Sequence, residues 1–180
     1  MTAATRPMIA PLDLGPMPQK FRMRTVDELL VRTPLRRIFE FAREVDRWPR
    51  HLPHYRWVRF HKRATDGGGI VEMAAWRPFG SVRWPTWWAS EMSVSDSAPN
   101  VRFRHVAGIT KGMEVEWSFA QEGDATRVRI VHLWNGPRWP LVGVLAAKSV
   151  IGPVFVHGIA SRTLAGLAAV AERGPGQSRG

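Results

Sequence analysis

The sequence predicts an α+β domain: one strand, two short helices, a meander of six more strands, and a long C-terminal helix. Three observations carry this. Apolar and polar residues alternate with period two through most of residues 55–134. Turn signals punctuate that stretch: Asp66-Gly67-Gly68-Gly69, Pro78-Phe79-Gly80, Ala98-Pro99, Lys111-Gly112 and Gly123-Asp124. Apolar residues at helical spacing flank it on both sides.

Residues 1–20 contain Pro7, Pro11, Pro16 and Pro18 and read as a disordered arm. They lack a basic segment followed by an apolar core, so no signal peptide is expected. Residues 21–31 form strand one. Thr33 should cap the first helix, with Pro34 at its first position. Leu35, Ile38, Phe39, Ala42 and Val45 then share one helical face. Residues 46–53 make only a short turn, because Pro49 and Pro53 forbid a long one. Strands follow at 55–64, 69–77, 81–95, 100–110, 113–121 and 126–134, for an antiparallel sheet of seven. Pro85 marks an edge or a bulge in the third of these six. Residues 140–173 are helical, with a break allowed at Gly152-Pro153, and 174–180 are a polar tail.

The chain of 180 residues is one domain long, and 44% hydrophobic content suffices for a core. Nine Trp accompany one Tyr. Trp supplies stiff apolar surface with one donor, suited to cavity walls as well as cores. The absence of cysteine excludes disulfides, thiolate chemistry and Cys-ligated metals, and fits a cytoplasmic location. The net charge is +11, and residues 32–63 carry ten basic side chains against Glu40, Glu44 and Asp46. Such a block attracts an anionic partner or is simply a solvated face. Residues 139–160 have spanning length, but Lys148, Pro153 and His157 interrupt them, so at most a surface-lying segment is expected.

The run Asp46-Arg47-Trp48-Pro49-Arg50-His51-Leu52-Pro53 resembles the D-x-W/Y-P-x-x-L/M-P element of the START-like (SRPBCC) superfamily, in its polyketide cyclase/dehydrase and lipid-transport branch. With the element order, the resemblance covers residues 21–173. It implies a helix-grip fold, in which a curved seven-stranded antiparallel sheet wraps the C-terminal helix around a hydrophobic cavity. It implies a cyclase, aromatase or dehydratase of poly-β-keto chains, or a non-catalytic carrier of lipid, isoprenoid or quinone. The family's cyclases often use a cavity Arg; Arg77 and Arg83 are the candidates.

Strand alternation supplies the candidate site. Val101, Phe103 and His105 share one face, as do Met113, Val115, Trp117 and Phe119, and Val128, Ile130, His132 and Trp134. The opposite faces carry Arg102 and Arg104, Glu114 and Glu116, and Arg127 and Arg129, expected as solvent-facing cross-strand ion pairs. His105 and His132 thus stand among apolar residues, where a neutral imidazole can act as acid, base or polarising group, or simply be satisfied by a neighbour. They are the catalytic candidates. Tyr55, Trp84, Trp88, Phe103, Met113, Trp117, Trp134, Phe155 and Ile159 are the ligand-binding candidates, with Tyr55 and His54 near the mouth. A register slip at Pro85 would turn Trp84 and Trp88 outward.

Other chemistries find no pattern. There is no phosphate loop and no GxSxG elbow. His51-x-x-His54 lacks a third ligand, so no metal and no cofactor is expected. No nucleic-acid motif accompanies the charge. The expected partners are a hydrophobic small molecule and, through Arg36, Arg37 and Arg43, an acidic acyl carrier protein or an anionic membrane surface.

Overall fold

Alternating β-prone segments joined by Gly-rich turns become seven strands around one long helix in the computed structural model, which describes residues 7–79, 82–136 and 153–173. The order is β1 (Met23–Val31), α1 (Leu35–Arg43), a 3-10 turn (Val45–Arg47), α2 (Trp48–His51), β2 (Tyr55–Arg63), β3 (Gly69–Phe79), β4 (Val82–Ser95), β5 (Asn100–Gly108), β6 (Glu114–Glu122), β7 (Ala125–Trp134) and α3 (Pro153–Glu172). The seven strands form one antiparallel sheet in the order β1-β7-β6-β5-β4-β3-β2. Consecutive strands pair as hairpins, except that β1 crosses to pair with β7, from Met23↔Trp134 to Val31↔Thr126. The sheet is curved and grips α3, which packs on β1 and α1. Residues 137–152, which include the first part (140–152) of the anticipated C-terminal helix, lie outside the described residues.

Helix α1 buries Ile38, Phe39 and Ala42, as its spacing predicts. Its N-terminus is built differently from the expectation. Pro34 is the cap residue and offers no side-chain bond. Thr33 is buried and turns its hydroxyl to the Ala171 carbonyl at the end of α3. Gln121 Oε1, from β6, instead accepts from Leu35 N at 2.7 Å. A distant side chain therefore satisfies a donor that the local sequence assigned to Thr33.

Trp48 starts α2, and its Nε1 donates to the Phe41 carbonyl at 2.9 Å. The following Leu52 packs against α3 so closely that a Cβ at Gly166 would lie 2.3 Å from Leu52 Cδ2. The Trp-Pro/Leu-Pro run is thus a plug between the sheet and α3.

Pro78 and Phe79 belong to β3 rather than to a turn. Pro85 lies in β4 opposite Trp76, and β5 reaches only as far as Trp88. Among the described residues the proline has no second strand beside it, the position in which a missing donor costs least. The register shift comes later, between Ala89 and Ser90. Beside it Gly108 takes φ +87, and a Cβ there would lie 2.3 Å from the Trp87 carbonyl oxygen, so only glycine fits. Thr86, Trp88, Ser90 and Met92 all face inward and are buried.

The convex face carries the charges. Arg104 Nε donates to Glu114 Oε1 at 2.5 Å, and Arg102 reaches Glu114 and Glu116. These pairs are more covered than sequence alternation alone suggests: the Arg102 and Glu114 side chains are each only 11% exposed. The covering comes from the N-terminal segment, whose Leu14 and Gly15 carbonyls accept from Arg104 and Arg102. Ile9 also forms a parallel bridge with Ala64 at the end of β2. The Pro-rich composition of this segment gives no hint of these contacts.

Candidate functional site

The plug, the inner face of the sheet and α3 line a partly open, mostly apolar cavity of about 80 Å³. Its aromatic wall is centred on Trp48, whose ring centroid lies 5.2 Å from Tyr55, 5.7 Å from Trp117 and 6.5 Å from Phe103. Met73, Met113 and Val115 complete the sheet side, and Ile159, Ala160 and Thr163 form the helix side. Alternation explains the sheet contribution, since every second residue of a strand meets the same face.

Two histidines interrupt the apolar lining. His105 stacks on Trp88 with centroids 6.0 Å apart and an interplanar angle of 17°. Its Nδ1 lies 2.6 Å from Thr110 Oγ1, across the β5–β6 turn. His132 Nδ1 lies 3.3 Å from Thr25 Oγ1, its register partner on β1. Each ring is therefore held at Nδ1, and neither Nε2 has a hydrogen-bond partner among the described residues. Burial lowers both pKa values from 6.5 to about 3, and the nearby His132 adds to the effect at His105. Both imidazoles are neutral at physiological pH. They can hydrogen-bond a ligand oxygen but are weak proton acceptors.

A second polar group reaches the cavity from its rim. Thr163 Oγ1 donates to the Ile159 carbonyl at 2.8 Å and lies 3.3 Å from Tyr55 Oη and 3.1 Å from His54 Nε2. Burial raises the Tyr55 pKa, so the phenol stays protonated. The half-buried His54 is lowered to about 4 by burial and then by Arg162. These contacts link the cavity wall to the more exposed His54.

His105, His132, Tyr55, Trp88, Phe103, Met113, Trp117 and Ile159 all line this cavity. Trp134 does not. It is buried, its Nε1 donates to the Lys111 carbonyl, and it borders a second depression of about 640 Å³ that shares only His105 with the first. The side chains of Trp84 and Phe155 lie outside the described residues, as does that of Arg77, while Arg83 is exposed. Sequence reasoning missed Trp48, Thr25, Thr110 and Thr163. Trp48 was available, since it begins the Trp-Pro/Leu-Pro run. The threonines carry no local signal, because each meets its histidine only through strand pairing, a turn or helix docking.

The three residues of the basic block expected to meet an anionic partner are engaged within the molecule. Arg43, only 16% exposed, binds Asp96 at 2.8 Å and the Asp66 carbonyl at 2.6 Å. Arg37 caps the end of α3 through the Ala171 and Arg173 carbonyls. Arg36, the most exposed of the three, pairs with Glu40 and Asp96. His51 packs edge-on against Phe41 and His54 turns to Thr163, so the two do not converge. Among the described residues no cluster of three or more metal-ligating side chains occurs, and no helix is long and apolar enough to cross a membrane.

A family model described as polyketide cyclase/dehydrase and lipid transport matches residues 31–151. Solved structures share the fold. The Thermus thermophilus protein TTHA0849 superposes with a TM-score of 0.69 at 20% identity, over 82% of this chain and 96% of that one. The Zhui aromatase/cyclase of Streptomyces sp. R1128 gives 0.67 at 13% identity, over 86% and 98%. A START superfamily protein from Mycobacterium smegmatis gives 0.59 at 15% identity, over 83% and 94%. No curated protein matches the sequence.

Proposed function

The chain belongs to the polyketide cyclase/dehydrase and lipid transport family, and on that premise we propose that it binds a hydrophobic, ketone-bearing molecule and promotes ring closure and loss of water. One observation carries this reading: two neutral histidines, each held by a threonine at Nδ1, line a cavity whose walls are mostly apolar and hold no charged side chain. In an intramolecular aldol step an enol carbon bonds to a ketone carbon, the enol gives up its O–H proton and the ketone oxygen gains one; that hydroxyl then leaves as water together with a neighbouring α-hydrogen, forming a C=C bond. A neutral imidazole with hydrogen on Nε2 stabilises the charge developing on that oxygen. Its low basicity suits donation better than proton abstraction. The aromatic wall folds the chain so that reacting carbons meet. Tyr55, kept protonated, is a second donor, and Thr163 and His54 connect it towards solvent.

The cavity of about 80 Å³ is below the roughly 300–1,000 Å³ of ordinary ligand sites. A polyketide therefore enters only as wall side chains move aside. An acyl carrier protein docking through Arg36, Arg37 and Arg43 has to compete with Asp96 and the carbonyls of α3.

A carrier of lipid, isoprenoid or quinone is the second reading. It is favoured by the described lining, which holds no charged side chain. Turnover of a carrier-tethered poly-β-keto chain by His105→Ala and His132→Ala separates the two. The enzyme reading expects losses on the order of 100-fold, with bound ligand still detected by native mass spectrometry. Unchanged product formation assigns the protein to the carriers.

A further inference from the structure

The convex face of the sheet has a second half that the cavity does not use. Met73, Ala75 and Trp88 face inward, so Ala74, Trp76 and Trp87 face outward. The register Trp57↔Ala74↔Trp87 puts two tryptophans on either side of a buried alanine, and Trp76 lies two residues along. Trp87 is 40% exposed. Guanidinium groups cover the rings: Arg56 lies 4.7 Å from the Trp76 centroid and Arg59 4.9 Å from that of Trp57.

The charge is one-sided. Arg56, Arg59, Lys62 and Arg83 are exposed, and none has an ion-pair partner among the described residues. Two carboxylates share the face: Glu72 is taken by Trp87 Nε1 at 2.5 Å and His61 at 3.0 Å, and Glu91 at its border by Arg104 of β5 at 3.9 Å.

We propose that this face, on β2 to β4, docks the protein on a lipid bilayer rich in anionic headgroups. Indole rings favour the boundary between headgroups and acyl chains, and each arginine or lysine near an anionic leaflet gains attraction. The shape selects this occupant. The face is convex, so it meets a plane rather than cradling a strand. Single-stranded nucleic acid would need open ring faces for stacking, and guanidinium groups already occupy those of Trp57 and Trp76. The surface is independent of what the cavity does to its ligand.

The test is co-sedimentation with phosphatidylcholine vesicles, with and without phosphatidylglycerol. Wild-type protein should partition onto the anionic vesicles only, and less as salt rises. The triple variant R56E/R59E/K62E should bind them on the order of 100-fold more weakly. Reversal of Arg127 and Arg129, on the other half of the same face, should leave binding within about twofold. Trp87→Ala keeps every charge and should still cost several-fold; it also serves if the triple variant loses its far-ultraviolet circular dichroism spectrum. Absence of binding to anionic vesicles overturns the proposal. So does binding that survives both the triple reversal and Trp87→Ala, or an interaction confined to an acidic protein.

Discussion

Strands β5 to β7 present two faces with opposite solutions to the same problem. Inward, polar groups are few, and His105 and His132 avoid charge altogether. Outward, charge is abundant and cancelled pair by pair, with Glu114 between Arg102 and Arg104 and Arg127 between Glu28 and Glu122. Burial makes a lone ion expensive, so the inner face uses neutral donors and the outer face uses partners. The difference teaches that the cavity can orient oxygen atoms but offers no fixed counter-ion among its described residues.

The inner face should be the more fragile. Trp48 touches three other rings and caps the Phe41 carbonyl, so Trp48→Ala should cost about 3–5 kcal/mol in urea denaturation. A loss below about 1 kcal/mol would mean that the plug does not organise the core.

Acid should break the same face next. Above pH 6.5 both histidines are neutral in folded and unfolded chains. Below it the unfolded chain takes up protons that the folded rings refuse until about pH 3. Stability present above pH 6.5 is thus lost as pH falls through that window. The slope approaches about 1.4 kcal/mol per pH unit for each ring. Denaturation midpoints across this range measure it, and His132→Gln should remove close to one proton from the slope. A flat acid limb in the wild type would show that the rings titrate freely.

The outer face should respond least, and by degree of cover. Glu114→Gln leaves the mostly covered Arg102 short of its counter-charge and should cost roughly 1–3 kcal/mol. Arg127→Ala, at an open pair, should leave the midpoint unchanged within error. Equal effects at the two sites would deny the N-terminal segment any role in covering Glu114.

Much of this is legible in the sequence, for a physical reason. Period-two alternation fixes faces, so His105, Trp117 and His132 could be placed on one wall from their neighbours alone. Turn glycines fixed most hairpins. What stayed hidden depends on partners distant in sequence. Thr33 has the chemistry of a cap, yet its hydroxyl reaches the end of α3 while Gln121 reaches Leu35. Thr25 holds His132 only because β1 lies beside β7. The anionic-partner residues looked free in sequence because Asp96, which takes Arg36 and Arg43, lies beyond two more hairpins.

The crossing of β1 to β7 also orders events in time. Strands β2 to β6 can zip as successive hairpins while synthesis proceeds, but β1 waits for Ala125–Trp134 before it has any strand partner. Its seat beside α3 comes later still. The first strand of this domain is thus among the last to be placed, and until then Thr25 cannot orient His132. Such a non-local pairing slows folding, and pulsed hydrogen exchange should find the amides of Met23–Val31 protected after those of β3 and β4.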